Sequence, residues 1–139
     1  MKIFITGVAG FLGSHLADLM IAEGHTVAGN DNMIGGYTDN VPQNVEFHQI
    51  DCCDLENLTK AMEGCDIVYH TAATAYEGLS VFSPVLVTRN IFEASVTTIT
   101  AAIRNKVKRI VYCSSMARYG HHDEMPYKED YECRPQDPV

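Results

Sequence analysis

The residues with the clearest chemistry stand at the head of the chain. Gly7-Val8-Ala9-Gly10-Phe11-Leu12-Gly13 follows the short apolar run Lys2–Thr6 (KIFIT) and leads into a helical pattern over residues 10–23. Glycine at the turn permits a sharp reversal, a second lets backbone approach a pyrophosphate, and a third allows a helix to pack closely on a strand. The helix start then offers free N–H groups and the positive end of its dipole to phosphate. Glycines at this spacing also serve turns and packing with no ligand. Their place between the first strand and the first helix is what favours a phosphate site, with Gly7, Gly10, Phe11, Leu12 and Gly13 as its residues. A second strand, Thr26–Asn30, ends at Asn30-Asp31-Asn32, about 20 residues further on. A carboxylate there accepts hydrogen bonds from adenosine ribose hydroxyls and repels a 2′-phosphate. Asp31 and Asn32 therefore point to NAD rather than NADP, and no arginine lies near them in sequence. The plainer reading of Asp31 is a turn former.

These residues need a scaffold, and strands alternate with helices to supply one. In the first helical pattern Phe11, Leu12, Leu16, Leu19 and Met20 are spaced for one buried face, and Gly24 ends it as a C-cap. Residues 31–40 are turn-rich. Residues 45–50 (VEFHQI) read as a third strand, and 55–62 as a short helix closed by Gly64. Residues 65–70 (CDIVYH) form a fourth strand, 84–105 a mostly helical segment, and 109–113 (RIVYC) a fifth strand. Residues 114–139 have little periodicity and read as loop with one short element at most. Alternating β and α units predict an α/β fold in which helices cover both faces of a doubly wound parallel sheet.

Composition narrows the partners. The chain has 139 residues, enough for one domain with a real core, and a net charge of −8. That balance argues against nucleic acid and against an anionic membrane surface, since both need clustered Lys and Arg. A small anionic ligand held by backbone amides remains compatible with it. The five cysteines, Cys52, Cys53, Cys65, Cys113 and Cys133, form no CxxC pair, so neither a disulfide framework nor a zinc site is expected. His121, His122, Asp123 and Glu124 are adjacent, and adjacent residues rarely converge on one metal; they read as a solvated loop. The N-terminal apolar run is broken as no signal peptide is, and no stretch is long enough to span a membrane. A cytoplasmic location is expected.

The ordered set of segments resembles the extended short-chain dehydrogenase/reductases that include the NAD-dependent sugar-nucleotide epimerases and dehydratases. The stretch TGVAGFLGSHLADLMIAEGHTV is similar to the opening of that family. Asp51-Cys52 stands where the family brackets the adenine. His70-Thr71-Ala72-Ala73 resembles its HxAA segment, whose small residues leave room for the cofactor, and Asn90-Ile91 its Asn-Val. Ser114-Ser115-Met116-Ala117-Arg118-Tyr119-Gly120 is similar to its SSxxxYG motif. The resemblance covers the whole chain and implies a Rossmann domain over residues 1–139. It adds Asp51, Cys52, Thr71, Ala72, Ala73, Asn90 and Ser114 to the cofactor contacts. It makes Ser115 the catalytic residue, hydrogen-bonded to a substrate hydroxyl or keto oxygen. Without it, Ser114 and Ser115 read as strand-end serines satisfying loop amides. The implied reaction is epimerisation or dehydration of a nucleotide sugar by transient hydride transfer to NAD, with a homodimer for the full-length protein.

The sequence departs from the family pattern after Ser115, where no Tyr-x-x-x-Lys follows. In the family that lysine lowers the tyrosine pKa and makes it a general base. Residues 126–138 resemble the segment just before the tyrosine and put Val139 in its place, unless the tyrosine falls beyond the end. Either way the resemblance implies a Rossmann fold incomplete at the C-terminus, lacking a substrate domain and inactive alone. A non-catalytic NAD-binding or NAD-sensing protein, and a reductase of another secondary alcohol, are the alternatives.

Overall fold

Strand β1 (Lys2–Thr6) occupies the middle of the sheet in the computed structural model, which describes residues 1–123 and 125–136. Helix α1 (Phe11–Ala22) crosses over to β2 (Thr26–Asn30), and a further strand, β3 (Val45–His48), follows a 3-10 turn at Thr38–Asn40. Helix α2 (Leu55–Ala61) leads to β4 (Ile67–His70). Three helical pieces come next, α3 (Glu77–Phe82), α4 (Pro84–Thr88) and α5 (Ala94–Arg104), the last two joined by a π-helical turn at Arg89–Glu93. Strand β5 (Arg109–Tyr112) precedes a second 3-10 turn, Met116–Tyr119. All pairings are parallel and the order is β3-β2-β1-β4-β5. The doubly wound α/β sheet is as expected.

Side chains on β1 alternate between two cores, as the period of a strand requires. Ile3 and Ile5 join Val27, Val8 and Ala17 beneath α1. Phe4 faces the opposite way, with Ala28, Leu58, Met62, Val68, Ala101 and Ala102 beneath α2 and α5. Helix α2 starts at Asp54, whose carboxylate accepts the Asn57 amide at 3.2 Å. The register sets Thr6 level with Asn30 on one side and His70 on the other, so three strand ends finish together. No helix among the described residues is long and apolar enough to cross a membrane.

Helix α1 corrects one expectation. Its buried face is Gly13, Ser14 and Ala17, while Phe11 is 82% exposed and Leu12 and Leu19 are also exposed; Leu16 and Met20 lie only partly buried at the flank. The helix lies so close to the glycine turn that a Cβ on Gly13 would collide with the Gly7 carbonyl. Only small residues fit that line. The same holds for α5, which turns Ala94, Ser95, Thr98, Ala101 and Ala102 inward and leaves Val96 and Ile103 outside. Strands β3 to β5 are shorter than their apolar runs. Helix α3 has no amphipathic signal among its described side chains, where Ser80 is buried while Val81 and Phe82 are exposed.

Candidate functional site

The turn after β1 is pinned to the neighbouring strand. Gly7 and Val8 donate their amides to Asn30 O at 2.8 and 3.1 Å, and Gly10 N closes back on Gly7 O at 3.0 Å. Gly7 has φ +70, which favours glycine, and a Cβ there would lie 2.9 Å from Ala72 Cα. Two strand ends thus meet with no side chain between them. At the start of α1 the first intrahelical acceptor in use is Gly10 O, which takes the Ser14 amide. The amides of Phe11, Leu12 and Gly13 therefore have no partner within the helix. Gly10 offers no side-chain cap, and no acidic residue sits in the first turn. These donors stand at the positive end of a helix dipole, suited to an anion.

A cleft of about 390 Å³ opens in front of these donors, at the carboxyl ends of β1, β2 and β4. With the order β3-β2-β1-β4-β5, it lies where the winding reverses, the usual ligand crevice of an open parallel sheet. Its lining includes Gly7, Gly10, Phe11, Leu12, Gly13, Asp31, Asn32, Asp51, Cys52, Thr71, Ala72, Ala73 and Asn90, so thirteen residues singled out in the sequence converge on one space.

Asp31 is 8% exposed and its carboxylate is fixed by backbone. Oδ2 accepts the Ala9 amide at 3.1 Å and Oδ1 the Met33 amide at 2.8 Å. Ala9 O in turn accepts from Tyr37 N and Asn40 Nδ2, which folds the 31–40 loop back on the glycine turn. A Cβ on Gly36 would come within 3.0 Å of Asp31 Cγ. Each carboxylate oxygen keeps a further lone pair for a hydroxyl donor. The packed loop and the fixed negative charge both disfavour a phosphate at the same place.

Asp51 lies at the far end. Its Oδ1 accepts Cys53 N at 2.8 Å, and its Oδ2 accepts both Asn32 Nδ2 at 3.3 Å and Arg89 Nη1 at 3.1 Å. Partial burial works against its charge, yet the Cys53 amide, Asn32 and Arg89 together hold its carboxyl below the usual range. Arg89 was not foreseeable, since it lies 38 residues from Asp51 and reaches it from the π-helical turn. Its charge is spent on Asp51. On the same turn Asn90 donates Nδ2 to Thr74 Oγ1 at 3.0 Å, and its Oδ1 accepts from Arg89. Burial pushes the Cys52 thiol up and that of Cys53 to about 12, so neither is a ready nucleophile.

Ser114 and Ser115 stand apart. Both are exposed beyond β5 and neither lines the cleft; Ser115 Oγ accepts the Ala117 amide at 3.1 Å. Tyr119 stacks on Tyr127 with ring centroids 5.8 Å apart. Of the acidic and histidine run, His121 pairs with Asp123 at 3.5 Å. Glu124 and the tyrosine position assigned to Val139 lie outside the described residues. The cleft also recruits Asn30, known from the sequence only as a strand end, and Gly35, Gly36 and Thr74, which no sequence motif singled out. The Gly35-Gly36 pair just after Asp31 was the available signal.

The family model described as NAD dependent epimerase/dehydratase family matches residues 3–139. A probable UDP-arabinose 4-epimerase from Arabidopsis thaliana is 32% identical over 138 residues, covering 91% of this chain and 34% of that protein. The crystal structure of a UDP-glucose 4-epimerase from Thermotoga maritima with UDP-glucose superposes with a TM-score of 0.94 at 29% identity, over 99% of this chain and 46% of that one. That of a UDP-glucose 4-epimerase from Thermus thermophilus in complex with NAD gives 0.93 at 32% identity, over 99% and 46%. The chain therefore spans less than half the length of these relatives.

Proposed function

Because the chain belongs to the NAD-dependent epimerase/dehydratase family, we propose that residues 1–139 form an NAD-binding domain whose intact protein epimerises or dehydrates a nucleotide sugar. One observation carries this reading. The unpartnered amides of Phe11, Leu12 and Gly13 and the fixed carboxylate of Asp31 face the same cleft. A pyrophosphate fits the first and a ribose diol the second.

NAD, when bound, supplies a hydride acceptor, so that a sugar carbinol passes through a keto form and recovers the hydride. The residues of this chain do the rest. The helix start neutralises phosphate charge, Asp31 orients the ribose, and Asp51 and Cys52 flank the base. Gly7, with no side chain of its own, lets the turn pack directly against Ala72. Ser115 is assigned to the sugar oxygen, where its hydroxyl can still donate while its oxygen holds the Ala117 amide. The exposed Phe82, Val85, Phe92 and Ile103 on the outer helices favour a homodimer of the intact protein.

The test is calorimetric titration of the intact protein with NAD and NADP, followed by incubation with UDP- and dTDP-hexoses and NMR of the products. NAD should bind at least about tenfold tighter than NADP, and one nucleotide sugar should be interconverted. Equal affinity for the two would remove Asp31 from its role. Tight NAD binding without change in any sugar would leave a non-catalytic NAD-binding protein or a reductase of another alcohol.

A further inference from the structure

One buried titratable group lies outside the chemistry above. His70 ends β4 at 3% exposure, wedged between the cleft wall and α5. Its Nδ1 is 2.7 Å from Thr6 Oγ1 and its Nε2 is 3.1 Å from Ser95 Oγ. Counting donors decides which nitrogen carries the proton. A hydroxyl has one hydrogen to give and two lone pairs. Thr6 Oγ1 accepts the amides of Thr71 and Ala72, each at 3.2 Å, and this fills its lone pairs. Its hydrogen must go to His70 Nδ1, which is therefore bare. At the other end, Ser95 Oγ gives its hydrogen to Ile91 O at 2.6 Å and so accepts from His70 Nε2–H.

Every member of this chain is satisfied, and only by the neutral ring protonated at Nε2. Its two ends are functional surfaces. Thr71 and Ala72 form the cleft wall that touches Gly7, and Ile91 follows Asn90 on the π-helical turn. We infer that His70 is a positioning residue that locks the Thr71–Ala72 wall and the Asn90 turn into one cofactor-ready arrangement through Thr6 and Ser95. This rests on the cleft being the NAD site. Either imidazole nitrogen in the wrong state leaves a buried hydroxyl or amide without a partner, which loosens the wall instead of the sheet as a whole.

The first measurement needs no variant and no NAD. Nitrogen-15 spectra of the intact protein near neutral pH should show His70 with a bare Nδ1 and a protonated Nε2; the opposite tautomer, or a charged ring, overturns the inference. The second compares variants. His70→Phe keeps the ring volume and removes both nitrogens, whereas His70→Asn keeps an acceptor near the Nδ1 position. His70→Phe should weaken NAD about tenfold and speed hydrogen exchange at Thr71 and Ala72, with His70→Asn restoring much of both. Wild-type affinity and protection in His70→Phe would overturn it. Should that variant not fold, Thr6→Val against Thr6→Ser makes the same comparison. If the wild type binds no NAD, the cofactor reading fails alone, because the tautomer and the exchange at Thr71 and Ala72 still judge the role of His70.

Discussion

The loops at the ends of β1, β2 and β4 and the chain beyond β5 both carry expected site residues, yet they are held in opposite ways. In the cleft each loop is fixed by a distant element. Gly7 and Val8 hang from Asn30, Ala9 from Asp31, Tyr37 from Ala9, and Thr71 and Ala72 from Thr6. Beyond β5 the Cys113 amide still donates to His70 O, and further on among the described residues the chain makes contacts with itself. Ser115 caps Ala117, Tyr119 stacks on Tyr127, the Tyr127 hydroxyl donates to Gly120 O, and Arg118 donates to Cys133 Sγ. The first region is tied into the core. The second is held largely by contacts within its own loop, the kind of segment that opens locally at low free energy.

The sharpest way to break the contrast is Gly13→Ala. Its Cβ would collide with the Gly7 carbonyl, and backbone on both sides is fixed by the core. The expected cost exceeds about 3 kcal/mol, at the upper end of overpacking, and NAD binding is lost with it. Denaturant unfolding with and without NAD measures both. A wild-type midpoint would mean that α1 can lift away, and the cleft would not be the rigid region.

Acid comes next in size. Burial holds the His70 ring neutral and lowers its pKa from 6.5 to about 4. The groups on it are the Thr6 and Ser95 hydroxyls and the Tyr112 ring, none a carboxylate. Between those two values the unfolded chain binds a proton that the folded chain refuses. Its contribution is therefore full above pH 6.5 and is lost as pH falls towards 4, by roughly 3 kcal/mol. Unfolding of wild type and His70→Asn at pH 7 and pH 4.5 isolates this from the carboxylates, whose losses come at lower pH because Asp51 and Glu46 are shifted down. Parallel pH curves for the two proteins would refute it.

Gly120→Ala should be smaller and confined. Gly120 has φ +63 and a Cβ there would strike Arg134 O, so the loop must open. Because that loop is tied chiefly to itself, the global midpoint should move by less than about 1 kcal/mol while NAD affinity stays within a factor of about two. Proton spectra of Tyr127 and His122 should nevertheless change, since their rings lie 6.0 Å apart inside the loop. A large global loss would show that the two regions are one cooperative unit.

The same contrast explains what the sequence made legible. Alternating apolar runs and glycine stops read as parallel β-α units because each element buries a face of its own period. Among the cleft residues, Gly7 and Gly13 were readable because backbone geometry in a short stretch demands glycine, and Asp31 from its place at a strand end; Asp51, Cys52, Thr71, Ala72, Ala73 and Asn90 were reached through the family resemblance alone. The line of small residues on α1 misled, because close packing on the sheet inverts the usual rule that the large apolar side is buried. Arg89 and the Thr6–His70–Ser95 chain were invisible, since partners 38, 64 and 25 residues apart leave no local pattern. Beyond β5, motif similarity singled out Ser115 but carried no information about where the loop would place it.

Ser115→Ala gives the smallest effect on structure and separates the observed cap from the proposed catalytic role of that residue. As a cap on an exposed 3-10 turn, its oxygen holds one amide, and removing it should cost about 0.5 kcal/mol, the low end for such caps. NAD affinity should not change, because Ser115 does not line the cleft. A catalytic hydroxyl behaves otherwise. It stabilises an oxygen only as charge develops, so its loss would lower kcat by about a hundredfold or more in the intact protein at unchanged NAD affinity. Retained turnover in Ser115→Ala would leave the cap as its whole function, and the chemistry would then belong to another residue, with the neighbouring Ser114 the next to replace.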